Sequence, residues 1–177
     1  ASHRPDRLPP GMEPGLEFQG SFTMPGPAYG FGAHVAVVQV DPDTGAISFL
    51  KYAAIHDTGR VINPKLMEGQ LHGGLAQGLG QGLMEGMVYN QDGQPLTSNF
   101  LDYSMPTAED MPALTMDRIE TVSPVNPLGV KGGGELPTVA SPVAVANALA
   151  DALSQTSVRH LNAPLTPEKV WRAFHEG

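Results

Sequence analysis

Apolar and polar positions are patterned most clearly between residues 33 and 55. Ala33-His34-Val35-Ala36-Val37-Val38-Gln39-Val40 is apolar and β-branched and predicts a strand. Asp41-Pro42-Asp43-Thr44-Gly45 supplies a turn. Ala46 to Ile55 predicts the partner strand of a hairpin, with His34 and His56 near its two outer ends. The period then changes. Asn63 is a good N-cap and Pro64 suits the first position of a helix. Met67, Leu71, Leu75, Leu79 and Leu83 recur every fourth residue as its apolar ridge, and Gln70, Gly74, Gln77 and Gln81 form a second face. Gly69, Gly73, Gly74, Gly78, Gly80 and Gly82 also lie in this helix, where each costs roughly 0.5–1 kcal/mol against Ala. Two readings account for them: close packing of the bare backbone on the sheet, or a large flat or elongated ligand along the Gln/Gly face.

Further on, Met87 to Asn90 and Gln94 to Thr97 flank Gln91-Asp92-Gly93 and predict a second hairpin. Leu114 to Val122 predicts a strand. Ser141 is expected to cap a helix with Pro142 in its first turn, lined by Val143, Ala146, Asn147, Ala150 and Leu153. Thr166-Pro167 opens a short helix, Glu168 to His175, with Val170, Trp171 and Phe174 expected inside. The pattern predicts an α+β fold: small antiparallel or mixed sheets packed against two main helices, plus a short C-terminal helix. Residues 1–20 have no sustained period and read as an irregular arm or linker, with 21–177 as one domain segment. The opening at Ala1, rich in Pro and polar residues, is expected to be a cut or processed end, or a linker from something larger.

Composition narrows the function. A 41% hydrophobic and 16% charged chain is a globular one, and 21 Gly with 17 Pro in no regular period imply many loops. A formal net charge of −8 with scattered Lys and Arg argues against nucleic acid as a partner. With no cysteine, the chain supplies no disulfide, thiol nucleophile or iron–sulfur ligand. No apolar run reaches the roughly 18 residues of a membrane span, and no signal-peptide pattern is visible, so a cytoplasmic location is expected.

The stretch with the most chemical content is Gly129-Val130-Lys131-Gly132-Gly133-Gly134-Glu135-Leu136-Pro137. Glycines let backbone N–H groups approach a ligand closely. The Glu that follows would repel a phosphate, so a base presented beside a bulky cofactor is the more specific reading, against an ordinary surface loop with a solvated Glu. A helix starting near Ser141 would add oriented N–H dipoles close by. Nucleotide motifs fail: Gly78-Leu79-Gly80-Gln81-Gly82 does not complete G-x-G-x-x-G, and no G-K-[ST] follows a glycine run. No H-E-x-x-H pair, carboxylate cluster or G-x-S-x-G elbow is present, and no residue is assigned as a metal ligand.

His56-Asp57-Thr58-Gly59-Arg60-Val61-Ile62-Asn63-Pro64, the stretch Gly69 to Gly80, and Gly129 to Glu135 together resemble the closing part of the molybdenum-binding subunit of the xanthine dehydrogenase/aldehyde oxidase/carbon monoxide dehydrogenase family. The strand from Phe31 to Asp41 and the helix from Ser141 to Leu153 match in order and spacing, so the resemblance covers about residues 20–175. It implies a molybdopterin-dependent oxidoreductase that hydroxylates an aldehyde or N-heterocycle with water-derived oxygen. The implied cofactor is molybdopterin with molybdenum, usually as the cytosine dinucleotide in bacteria. Glu135 matches the family's general base, whose pKa partial desolvation beside the cofactor would raise. Gln70 matches its pterin-binding glutamine, and Gln77, Gly132, Gly133 and Gly134 are expected beside the site. Lys131 would either offset cofactor charge or be solvated. Family subunits are several times longer, which implies a partner chain carrying the upstream half, with iron–sulfur and FAD modules on further subunits. Apolar surface is expected where that half docks. The alternatives are a non-catalytic scaffold or interaction subunit of the same fold without molybdenum, and a stand-alone glycine-loop nucleotide binder.

Overall fold

The computed structural model describes residues 8–11, 15, 17 and 19–176, so most of the expected arm, residues 1–20, lies outside the described residues. The fold is α+β, as the pattern predicts. Strand β1 (Phe31–Val40) pairs antiparallel with β2 (Ile47–Asp57), and β3 (Leu114–Ile119) adds in parallel to the far edge of β2. Between β2 and β3 runs helix α1 (Pro64–Leu83); α2 (Leu136–Ala152) and α3 (Pro167–His175) follow the sheet.

Local chemistry sets most boundaries. In the β1–β2 turn, Asp41 accepts from the Asp43 N–H at 2.9 Å and the Thr44 hydroxyl at 2.8 Å. Gly45 takes φ +73° with the Pro167 carbonyl against it, so the turn and the start of α3 meet where no side chain fits. Asn63 caps α1 as expected, its side chain accepting from the Leu66 N–H at 3.2 Å.

The core lies between one sheet face and the helices: Tyr52 and Ala54 from β2, Leu75 and Leu79 from α1, Val145 and Leu149 from α2, Val170 and Ala173 from α3, closed by Leu153 and Leu165. The α1 ridge therefore points inward as predicted. Three of its buried glycines, Gly74, Gly78 and Gly82, pack on α2, and the fourth, Gly80, lies against Glu85 and Pro106. A Cβ on Gly74 would lie 3.1 Å from the Gly134 carbonyl, one on Gly78 would be 2.8 Å from the Thr138 carbonyl, and one on Gly82 3.2 Å from Pro142 Cα. The i, i+4, i+8 spacing of these three lets the two backbones approach, and Thr138 Oγ1 donates to the Gly74 carbonyl at 2.9 Å. Gly69 and Gly73, by contrast, face open space.

Four expectations change. The second hairpin reduces to an isolated bridge between Tyr89 and Pro95: Pro95 has no N–H for a ladder, and Asn90 Oδ1 accepts the Asp92 and Gln94 N–H groups at 3.0 and 2.9 Å. There is thus one three-stranded sheet among the described residues. Helix α2 begins at Leu136, not Ser141. Pro137 occupies its first turn, where a missing N–H costs nothing, while Pro142 lies in the helix interior against Gly78 and Gly82 of α1. Strand β3 stops at Ile119, short of Val122, where its pairing with β2 ends at Asp57. In α3, Ala173 is buried while Trp171 is 37% exposed and stacks on His175.

Candidate active site

The site is built outward from the end of β2. Asp57 is fully buried and its carboxylate gathers three segments. It accepts from the Gly59 N–H at 2.7 Å, from both the N–H and the hydroxyl of Thr121, and from Lys131 Nζ at 3.2 Å. Burial alone would raise its pKa, but the bonds from Thr121, Gly59 and Lys131 outweigh burial and hold it at about 2. Lys131 is neither solvated nor free to face a cofactor. Its side chain is 12% exposed, pairs with Asp57, also donates to the Thr121 hydroxyl, and lies 5.0 Å over the Phe31 ring.

The glycine loop is laid against this anchor by its backbone. Gly129, at φ +71°, turns its carbonyl to accept from the Arg60 and Ser123 N–H groups at 2.9 and 3.0 Å. The Lys131 N–H donates to the Thr58 carbonyl at 2.8 Å, and the Gly132 N–H to the Ala28 carbonyl at 2.9 Å. Gly133 is buried against Thr58 and Met67, where a Cβ would come within 2.7 Å of Thr58 Cγ2. Gly132, Gly134 and Glu135 are exposed.

Glu135 is the N-cap of α2, so the helix follows the glutamate immediately. Its side chain makes no cap hydrogen bond. Among the described residues, the N–H groups of Gly133, Gly134 and Glu135 have no acceptor. These are donors at a helix N-terminus, where a partner with negative or lone-pair character is favoured.

Helix α1 supplies the other wall. Gln70 is exposed beside Gly134, close enough that a Cβ there would lie 3.4 Å from Gln70 Oε1. Gln77, two turns on, is exposed beside the first turn of α2, its Oε1 within 3.4 Å of Thr138 Oγ1. The structure thus brings Gln70, Gly132, Gly134 and Glu135 to one surface with Gln77 at its edge, and places Gly133 beneath them. Sequence reasoning passed over Asp57 and Thr121 as functional residues. Asp57 stood in a quoted motif, but its partners lie 64 and 74 residues away.

The donor set suits a polar, electron-rich organic cofactor: uncharged side-chain amides, open backbone N–H groups, and bare helix surface at Gly73. Among the described residues, no group of three or more His, Asp or Glu could hold a metal ion.

Comparison with known proteins identifies the family. The model of the molybdopterin cofactor-binding domain family matches residues 5–112. The chain is 42% identical over 167 residues to the nicotine 6-hydroxylase large subunit of Paenarthrobacter nicotinovorans, covering 94% of this chain and 20% of that one. It is 37% identical over 176 residues to the carbon monoxide dehydrogenase large chain of Hydrogenophaga pseudoflava, covering 99% of this chain and 22% of the relative. The solved structure of reconstituted CO dehydrogenase from Oligotropha carboxidovorans superposes with a TM-score of 0.92 at 33% identity, over 97% of this chain and 21% of that chain. The chain therefore spans about a fifth of the length of the curated relatives it matches. With its fold, its motif order and the matching family model in agreement, this chain belongs to the molybdopterin cofactor-binding domain family, among the molybdenum-binding subunits that include carbon monoxide dehydrogenase and xanthine dehydrogenase.

Proposed function

We propose that residues 21–177 form the segment of a molybdenum hydroxylase that presents the general base, Glu135, to the reacting centre. The observation that carries this is the placement of Glu135: exposed, its side chain making no cap bond, at the end of a side-chain-free loop whose Gly134 lies beside Gln70. A molybdopterin carrying molybdenum, read here as its cytosine dinucleotide form, supplies the two-electron redox chemistry when bound. The Gln70 and Gln77 amides and the N–H groups of Gly134 and Glu135 would hold its polar atoms, with Gly132 leaving room for close approach and Gly133 seating the loop from beneath.

The Glu135 carboxylate takes the proton from the water-derived nucleophile. It is exposed in this chain, so the desolvation that tunes a base comes from cofactor and from polypeptide beyond this segment. The substrate is an aldehyde or N-heterocycle, and the likeness to a nicotine 6-hydroxylase large subunit supports the heterocycle.

The fifth of the relatives' length that is covered supports a partner: the remaining part of the molybdenum-binding polypeptide. The sheet face opposite the core agrees with this, exposing Phe31, Val35, Val37, Ile55 and Ile119 together. Iron–sulfur and flavin subunits would carry electrons away, and relatives named as a large subunit or a subunit gamma support a multi-subunit enzyme. No described helix is long and apolar enough to cross a membrane, and a cytoplasmic location is part of this reading.

The test is Glu135→Gln in the assembled enzyme. Molybdenum content is expected to stay at the wild-type level while turnover falls by roughly 10²–10⁴-fold. Wild-type turnover in that variant would overturn the assignment. Absence of molybdenum from the wild-type complex would instead favour the scaffold reading.

A further inference from the structure

The loop that carries Glu135 has no side chains of its own between Lys131 and the glutamate. Its position is fixed by what holds Lys131. Two backbone bonds, Lys131 N–H to Thr58 and Gly132 N–H to Ala28, set its path. The Lys131 ammonium adds side-chain ties, to the buried Asp57 carboxylate and to the Thr121 hydroxyl that the same carboxylate holds. Asp57 also grips Thr121 and Gly59, so the same carboxylate joins both strands leaving the sheet to the loop.

We propose that Asp57 is a positioning residue for Glu135, its carboxylate tying Lys131 and Thr121 to the end of β2 and so fixing the backbone that presents the base. This rests on the reading of Glu135 as the base. Asp57 itself, fully buried, touches neither substrate nor cofactor. A shift of about 1 Å at a reacting group can cost a hundredfold in rate, and three glycines in a row offer little resistance to such a shift once the Lys131 tie is lost.

Stability and positioning separate through the charges. Asp57→Asn strands a buried ammonium, which is costly by itself; adding Lys131→Met removes that orphan charge without restoring the tie. The experiment compares Asp57→Asn, the Asp57→Asn/Lys131→Met pair and Glu135→Gln in the assembled, molybdenum-loaded enzyme. It reads Tm, molybdenum content, kcat and KM separately, and hydrogen exchange of the 131–135 amides. Asp57→Asn is expected to lower Tm and to lower kcat by roughly 10- to 100-fold, with KM within about threefold of wild type. In the double variant Tm should return toward wild type while kcat stays low and the 131–135 amides exchange faster.

If kcat returns together with Tm in the double variant, Asp57 serves stability alone and the proposal falls. It also falls if Asp57→Asn keeps wild-type kcat and exchange. Should Asp57→Asn fail to assemble, the double variant, with no stranded charge, decides by the same readouts. Wild-type turnover in Glu135→Gln removes the base reading whatever Asp57 does. Amide exchange still reports whether Asp57 holds the loop.

Discussion

Nε2 of His34 lies 2.8 Å from Nε2 of His56, so two imidazoles on neighbouring strands share one proton between them. Nδ1 of His34 is 2.8 Å from the Tyr52 hydroxyl, while the buried Nδ1 of His56 has no partner among the described residues. An unmet lone pair costs less than an unmet N–H. That favours His56 Nε2–H donating to His34, and His34 Nδ1–H donating to the Tyr52 oxygen. Both rings are then neutral. Burial, and then the charge of His56, lower the His34 pKa to about 4, and burial lowers that of His56. The sign follows directly. The unfolded chain takes up protons near pH 6.5 and the folded chain does not, so stability is full above that pH and is lost as pH falls toward 4. The Tm of His34→Gln should therefore fall less steeply than wild type between pH 6.5 and 5, and parallel slopes would rule out this linkage.

Glycines of α1 separate into two kinds by what surrounds them. Gly78→Ala would push a methyl into Ser141 and the Thr138 carbonyl, and overpacking of this kind costs about 1–3 kcal/mol or more. Gly73→Ala meets nothing within 4 Å and gains helix propensity of roughly 0.5–1 kcal/mol. Thermal melts should move in opposite directions for these two variants. Equal destabilisation would contradict the α1–α2 contact described above. In the assembled enzyme Gly73→Ala should also lower molybdenum content, since it adds a methyl on the face assigned to the cofactor.

Where a local signal and the tertiary structure agreed, the sequence was readable. Asn63-Pro64, the leucine ridge from Leu71 to Leu79 and the Asp41–Gly45 turn each carry their own chemistry, and each sits where the pattern puts it. The glycines of α1 were ambiguous because a bare helix face looks the same whether a helix or a ligand lies against it. Gly74, Gly78 and Gly82 went to α2, and only Gly69 and Gly73 stayed open. The start of α2 was misplaced because Ser141-Pro142 is as good a local cap as Glu135-Leu136-Pro137; contact with α1 decides between them. Of the proposed site, Glu135 and Gln70 were picked out through the resemblance of their motifs. Asp57 was not, because its role lies in bonds to residues far along the chain.

The cap on α1 gives a check on the wall that carries Gln70. Asn63→Ala removes the acceptor for the Leu66 N–H, a loss of about 1 kcal/mol. Asn63→Asp keeps an acceptor and adds charge at the positive end of the helix, so it should match or exceed wild-type stability. Denaturant midpoints of the two variants test this ordering, and a stable Asn63→Ala would mean that the cap bond is dispensable.

The exposed sheet face makes the last prediction. Val35 is 62% exposed and Ile55 37%, on adjacent strands and pointing away from the core. Exposed positions of this kind tolerate substitution within about 0.5 kcal/mol when nothing covers them. Val35→Lys should therefore leave the fold of this segment intact. If the remaining part of the molybdenum-binding polypeptide lies on this face, the same lysine must be buried there without a partner, at a cost of several kcal/mol. The full-length subunit carrying Val35→Lys should then lose soluble yield and assembly with its partner subunits, while Asp92→Lys, exposed in the turn between Tyr89 and Pro95 and off this sheet face, serves as the charge-change control. Normal assembly of the Val35→Lys subunit would show that this face stays in solvent and that the covering polypeptide docks elsewhere.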